Sequence, residues 1–248
     1  MRKLGMMGGM SWASTAIYYN HINRGVRRAL GGRHSAPLLI ESFDFEPLAA
    51  MQAADDWDGI AAVLTESARR LEDAGVDGLI LCTNTMHKLY DRIAVEVEIP
   101  ILHVADETAA AMQAAGVDRA ALLGTRFTMT EDFYVERIER HGIRLGVPDR
   151  EDMAEVDRII FDELTRGEVT IQSKRALRTL IAKLDKAGAE AVVLGCTELV
   201  MLVDPHANLL PIFDTTEIHA EAALRWILED AQGQKPLDST RPLAETVG

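Results

Sequence analysis

Two residues stand where chemistry could be done: Cys196 in Gly195-Cys196-Thr197-Glu198, and Thr83 in Cys82-Thr83-Asn84-Thr85. Each string follows a short apolar run. It therefore falls at the carboxyl end of an expected strand, where a parallel α/β sheet opens its ligand crevice. A free cysteine is most often a small buried apolar residue, but small and polar neighbours at a strand end set Cys196 apart. A thiolate there takes an acidic proton from carbon, provided backbone N–H groups, a helix N-terminus or a cation lower its pKa. The Thr83 hydroxyl is a far weaker base, yet it relays or donates a proton. Cys82 points to the opposite face of its strand from Thr83 and reads as structural.

The two strings are related. Gly75 to Thr85 aligns without gaps to Gly188 to Glu198, which makes Thr83 and Cys196 counterparts at an offset of 113 residues. Leu4-Gly-Met-Met-Gly8 matches Ala120-Ala-Leu-Leu-Gly124, and Ile99-Pro-Ile-Leu-His103 matches Leu210-Pro-Ile-Phe-Asp214, in the same order and at nearly the same offset. The pattern is that of two duplicated βα lobes. If the lobes face each other, Thr83 and Cys196 approach one ligand from opposite sides. That is the arrangement that inverts a carbon, one group removing a proton from one face while another delivers a proton to the other.

Gly8-Gly9-Met10-Ser11 and Gly124-Thr125-Arg126 end expected strands in the same way, so Met10, Ser11 and Thr125 join the candidates. Backbone N–H groups of such loops hold carboxylates. The glycine loop lacks the Lys-Ser/Thr ending of a nucleotide P-loop and the spacing of a dinucleotide loop. No His/Cys/Asp spacing resembles a metal site. His87 and His219 read as supporting residues, and Trp12, Trp57 and Trp226 as core or interface. No metal and no cofactor are expected, pyridoxal phosphate included.

Short apolar runs alternate with stretches of helical length. The runs are Lys3 to Met7, Ala36 to Phe43, Gly78 to Leu81, Ile99 to Val104, Ala120 to Leu123, Ala191 to Leu194 and Leu209 to Phe213. Helices are expected over Trp57 to Ala74, Asp149 to Thr165, Ser173 to Ala187 and Glu217 to Asp230, where apolar residues recur at three and four spacing. The class is α/β with parallel sheets. The expected first lobe covers 1–115 and is completed by a C-terminal helix at 215–232; the second covers 116–214, and 233–248 is expected as a flexible tail. The chain has 248 residues, 48% of them hydrophobic and 26% charged, which is ordinary globular usage. A net charge of -13 argues against nucleic acid, whose phosphates select clustered Lys and Arg. No stretch reaches the roughly 18 uninterrupted apolar residues of a membrane span. Two cysteines far apart make a poor disulfide framework, so a cytoplasmic protein is expected.

Taken together, Gly-Gly-Met-Ser-Trp at 8–12, Cys-Thr-Asn-Thr-Met-His at 82–87, Leu-Leu-Gly-Thr at 122–125 and Gly-Cys-Thr-Glu at 195–198 resemble the aspartate/glutamate racemase superfamily, from Leu4 to about Leu228. The resemblance implies two pseudo-symmetric α/β lobes, an interlobe active site, catalysis without pyridoxal phosphate, a small amino acid as substrate and a homodimer. In most aspartate racemases a cysteine falls at Thr83. The Thr/Cys pair and the string Leu81 to Lys88 are most similar to the subgroup called L-aspartate/glutamate-specific racemases. By that similarity Thr83 and Cys196 are catalytic, and Met10, Gln52, Asn84 and Thr85 line the substrate site together with Ser11, Thr125, Thr197 and Glu198. The superfamily's aspartate racemases often carry an arginine near Gln52 and a lysine in an Ile-Lys-x-Gly context, where this chain reads Leu164-Thr165-Arg166-Gly167; Arg126 and Arg166 are the candidates to replace them. Two other readings stay open: decarboxylation of a substituted malonate by one cysteine, and an inactive amino-acid-binding protein.

Overall fold

The computed structural model describes residues 1–203 and 208–229. The first half runs β1 (Leu4–Gly8), α1 (Trp12–Leu30), β2 (Leu38–Ser42), α2 (Phe45–Ala53), α3 (Trp57–Asp73) and β3 (Gly78–Leu81). A 3₁₀ turn at Thr85–Leu89 then leads into α4 (Tyr90–Ala94), β4 (Ile101–Leu102) and α5 (Val104–Ala114). The second half runs β5 (Arg119–Gly124), α6 (Arg126–Thr130), α7 (Asp132–Glu139), β6 (Arg144–Gly146), α8 (Arg150–Arg158), α9 (Ile171–Lys186) and β7 (Ala191–Gly195). A 3₁₀ turn at Thr197–Met201 precedes β8 (Ile212–Asp214) and α10 (Thr215–Leu228). Two four-stranded sheets result, ordered β2-β1-β3-β4 and β6-β5-β7-β8, and every strand pair is parallel. The α/β class expected from the alternating runs is the one adopted.

The repeat extends to single hydrogen bonds. Leu79 N–H donates to the Pro100 carbonyl at 2.8 Å and Val192 N–H to the Pro211 carbonyl at 2.9 Å. These prolines precede β4 and β8, both edge strands, where a residue without an N–H costs the sheet nothing. They also shorten those strands relative to the runs at 99–104 and 209–213. Strand β6 has no counterpart among the expected runs. It is three residues long, bounded by Gly142 and Pro148, and buries only Leu145, too little for an apolar pattern to register.

Alternation along the central strands sorts the core. Leu4, Met6, Ile80 and Cys82 face Tyr18, Ile22 and Val26 of α1 and Ala220, Ala223, Leu224 and Ile227 of α10. Met7, Leu79 and Leu81 face Ile60, Leu64, Ala68 and Leu71 of α3. Helix α10 thus follows the second sheet in sequence but packs on the first. Helix α5 does the reverse: it lies within the 1–115 segment yet buries Val104, Ala105, Ala109 and Met112 among Leu122, Ile138 and Val193 of the second half. Gly25 makes the α1–α10 contact close, because a Cβ there would sit 2.1 Å from Leu224 Cδ2.

One expected helix is corrected. The segment from Asp149 to Thr165 is helical only to Arg158, then widens into a π turn over Ile159–Glu163 and tightens into a 3₁₀ turn over Leu164–Arg166. Apolar spacing does not register this, because the change is anchored from outside the segment. The Glu163 carboxylate accepts from the hydroxyls of Ser173 at 2.5 Å and Thr170 at 3.2 Å. The expected tail at 233–248 and the last residues of the 215–232 helix lie outside the described residues. No described helix is long and apolar enough to cross a membrane.

Candidate active site

In both sheets the chain reverses direction of travel between the two central strands, β1/β3 and β5/β7, and loops leaving such a switch point frame a crevice. All four loops meet at one cavity of about 80 Å³. Met10, Ser11, Gln52, Thr83, Asn84, Thr85, Thr125, Cys196, Thr197 and Glu198, the catalytic and substrate-lining residues expected from the sequence, line it. So do Ser14, Phe45, Met86, Ile160, Phe161 and Thr165. The volume is far below the roughly 300–1,000 Å³ of pockets for drug-sized ligands; it suits a small molecule.

Local rules explain how each loop is held. Gly9 has φ of +86°, and a Cβ there would lie 2.3 Å from the Phe43 carbonyl oxygen, so only glycine fits. Ser11 caps α1 by accepting from Ser14 N–H, while Thr15 Oγ1 accepts from Gly9 N–H at 2.8 Å. Thr125 caps α6 in the same manner. The loops are then stitched together across the two halves. Thr85 and Thr125 hydroxyls lie 3.3 Å apart, and those of Ser14 and Thr197 2.5 Å apart. Asn84 Nδ2 donates to Thr215 Oγ1 at 3.0 Å, and Thr215 donates to the Leu194 carbonyl at 2.8 Å.

That chain fixes the Asn84 amide with its Oδ1 buried and unpaired. A buried acceptor without a donor is costly, and this one belongs to a residue of the cavity wall.

The carbonyl of Thr83 is anchored from behind. His87 Nδ1 donates to it at 2.8 Å, while His87 Nε2 accepts from Val104 N–H at 3.3 Å. Both ring nitrogens are used only if the ring is neutral, and burial, with His103 and His219 nearby, lowers its pKa well below the usual histidine value. His219 is likewise neutral: Nδ1 accepts from Tyr18 at 3.0 Å, Nε2 donates to the Leu102 carbonyl at 3.1 Å, and burial lowers its pKa to about 4. Both histidines therefore have supporting places, as the sequence suggested: His87 under the Thr83 loop and His219 between α1 and β4.

The state of Cys196 differs from the expected low-pKa thiolate. It is 8% exposed, and its thiol donates to Glu198 Oε2 at 3.1 Å. Burial, followed by the Glu198 carboxylate, raises its pKa well above the ordinary thiol value. The turn that follows is a 3₁₀ turn of five residues and supplies too small a dipole to offset this. Cys82 is fully buried, its pKa also raised by burial. It touches the cavity wall but belongs to the α1–α10 core.

Neither proposed replacement cation reaches the cavity. Arg126 lies over the Phe127 ring, its guanidinium carbon 4.4 Å from the centroid, and Arg166 is not in the lining. Among the described residues, no lysine or arginine lines the site. Ser14, Phe45, Met86, Ile160 and Phe161 had no expected role. Ser14 could have been found as the residue one turn beyond the Ser11 cap; Ile160 and Phe161 arrive through the π turn.

The same fold is found in known proteins. The family model of Asp/Glu/Hydantoin racemases matches residues 7–223. A Yersinia pestis structure described provisionally as an Asp/Glu racemase is 44% identical, covers 92% of this chain and 100% of its own, and superimposes with a TM-score of 0.88. An aspartate racemase homologue from Pyrococcus horikoshii is 32% identical over 92% of this chain and 99% of its own, with a TM-score of 0.78. The broad specificity amino-acid racemase RacX of Bacillus subtilis is 25% identical over 68% of this chain and 73% of its own. With a match running through both sheets and all four cavity loops, the chain belongs to the Asp/Glu/hydantoin racemase family, a family of isomerases.

Proposed function

We propose that the protein is a cofactor-independent amino-acid racemase acting on aspartate and/or glutamate, with Cys196 and Thr83 on opposite faces of the α-carbon. The observation that carries this is the meeting of Thr83 and Cys196, which occupy equivalent positions in the two repeats, in one small cavity. The substrate ammonium pairs with Asn84 Oδ1, the unpaired acceptor of the wall. Its carboxylates bind to the hydroxyls of Ser11, Thr85, Thr125 and Thr197 and to the Gln52 amide. Cys196 takes the α-proton of one enantiomer, the L form by resemblance, and Thr83 supplies the other face.

With hydroxyls and an amide in place of a cation, the site selects weakly for a charged side chain. Uncharged amino acids of the same size are used as well, in keeping with the broad specificity in the name of the Bacillus subtilis relative. The test is proton NMR of each enantiomer of aspartate and glutamate in deuterium oxide, without added cofactor. Loss of the α-proton signal with appearance of the opposite enantiomer, absent in Cys196→Ala, is expected. Retention of the signal with all four, or full activity in Cys196→Ala, overturns the proposal.

A further inference from the structure

The thiol of Cys196 cannot act as a base until it has given up its own proton, and one group is placed to receive it. Glu198 Oε2 lies 3.1 Å from Cys196 Sγ and accepts from it. The carboxylate is held in place by Thr197 Oγ1, which donates to the same oxygen at 2.6 Å. Because Thr197 donates to Glu198, the Ser14 hydroxyl, 2.5 Å away, donates to Thr197. A side chain from α1, in the other half of the molecule, thereby orients the carboxylate. The charged group near Cys196 from another element is Asp157 of α8, which is already engaged by Arg126 N–H at 2.6 Å.

We propose that Glu198 is the proton acceptor for Cys196, the two side chains acting as one base; this rests on the racemase reading above. As the Cα–H bond breaks, its electron pair stays on the substrate as the enolate and its proton passes to sulfur, while the original thiol proton passes to Glu198 Oε2. The net transfer is one proton from carbon to carboxylate, and sulfur ends as it began, a thiol. After Thr83 protonates the opposite face, solvent carries the proton from Glu198 back to the Thr83 oxygen, and the carboxylate is restored. Such a relay is the chemistry of a general base, worth about 10²–10⁴-fold in rate.

The rival role for Glu198 is purely electrostatic, a negative charge that keeps the thiol protonated. The two roles give opposite signs in Glu198→Gln. Removing the charge eases ionisation of Cys196 under either role, so alkylation by iodoacetamide at neutral pH accelerates. Cys82, fully buried, does not contribute, and Cys196→Ala serves as the blank. If Glu198 receives the proton, racemisation in Glu198→Gln falls by roughly 100-fold or more even as alkylation quickens, and Glu198→Asp recovers part of the loss with an altered pH profile. Racemisation in Glu198→Gln equal to or faster than wild type at neutral pH overturns the proposal. So does a pH dependence of alkylation that the substitution leaves unchanged. Thermal melts establish that Glu198→Gln is folded; if it is not, the decision passes to Glu198→Asp, where an unaltered pH–rate profile overturns the pairing. A wild type that exchanges no α-proton with any amino acid refutes the racemase reading instead, and the alkylation comparison still decides whether the two side chains are coupled.

Discussion

If Cys196 and Thr83 act from opposite faces as proposed, the two enantiomers are treated asymmetrically, since sulfur and oxygen differ so much in basicity. The equilibrium between enantiomers is symmetric, so kcat/KM is equal in both directions and the asymmetry falls on kcat and KM separately. Initial rates from saturating L and D substrate are expected to differ several-fold, and Thr83→Cys is expected to bring them together; equal kcat values in the wild type contradict the assignment. Asn84→Ala removes the unpaired acceptor and is expected to lower kcat/KM by at least about tenfold, in line with roughly 1.5–3 kcal/mol for a hydrogen bond to a charged group. Steady-state kinetics against Asn84→Asp, which keeps an acceptor, checks this.

At the scale of elements, the β3 loop, the β4–α5 junction and α10 are joined by neutral histidines. His219 has a folded pKa of about 4 against roughly 6.5 in the unfolded chain. The unfolded state alone binds the proton between these values, so stability is retained above pH ~6.5 and lost as pH falls toward 4, by up to about 3 kcal/mol for this group. Urea midpoints at pH 7 and 4.5 measure the loss; His219→Gln, which cannot take up a proton, is expected to show a smaller difference. The α1–α10 contact sets a second expectation. Gly25→Ala places a methyl 2.1 Å from Leu224 Cδ2 and is expected to destabilise by about 1–3 kcal/mol, recovered in part by adding Leu224→Ala. Denaturant titrations of the single and double variants decide whether the two sites are coupled.

Across the whole molecule the halves exchange helices, α10 packing on the first sheet and α5 in the core of the second. Neither sheet keeps its full cover if the other half unfolds. Tryptophan fluorescence, which reports the first half and α10 through Trp12, Trp57 and Trp226, and far-ultraviolet circular dichroism are therefore expected to give one coincident transition. Separate transitions would show that the halves fold independently. A substrate at 100 times its Kd adds about 2.7 kcal/mol to that transition, and on the proposed mechanism, where Cys196 acts on the α-proton more than on binding, it is expected to do so in Cys196→Ala as well.

How much of this was legible beforehand follows from the range of the forces involved. Strand-end loops, caps and the internal repeat are written in adjacent residues: Gly9 before Ser11, and Cys196 in register with Thr83. Local rules therefore led to the α/β class and to nine residues that line the cavity, and the family resemblance added Gln52. The π turn, the three-residue β6 and the placement of α5 against the second half were not legible, because distant partners such as Ser173 for Glu163 or Ile138 for α5 decide them. The protonation state of Cys196 was hidden for the same reason. A motif shows that a cysteine ends a strand, but the field it feels comes from burial, Glu198 and Asp157, and only the tertiary structure brings these together.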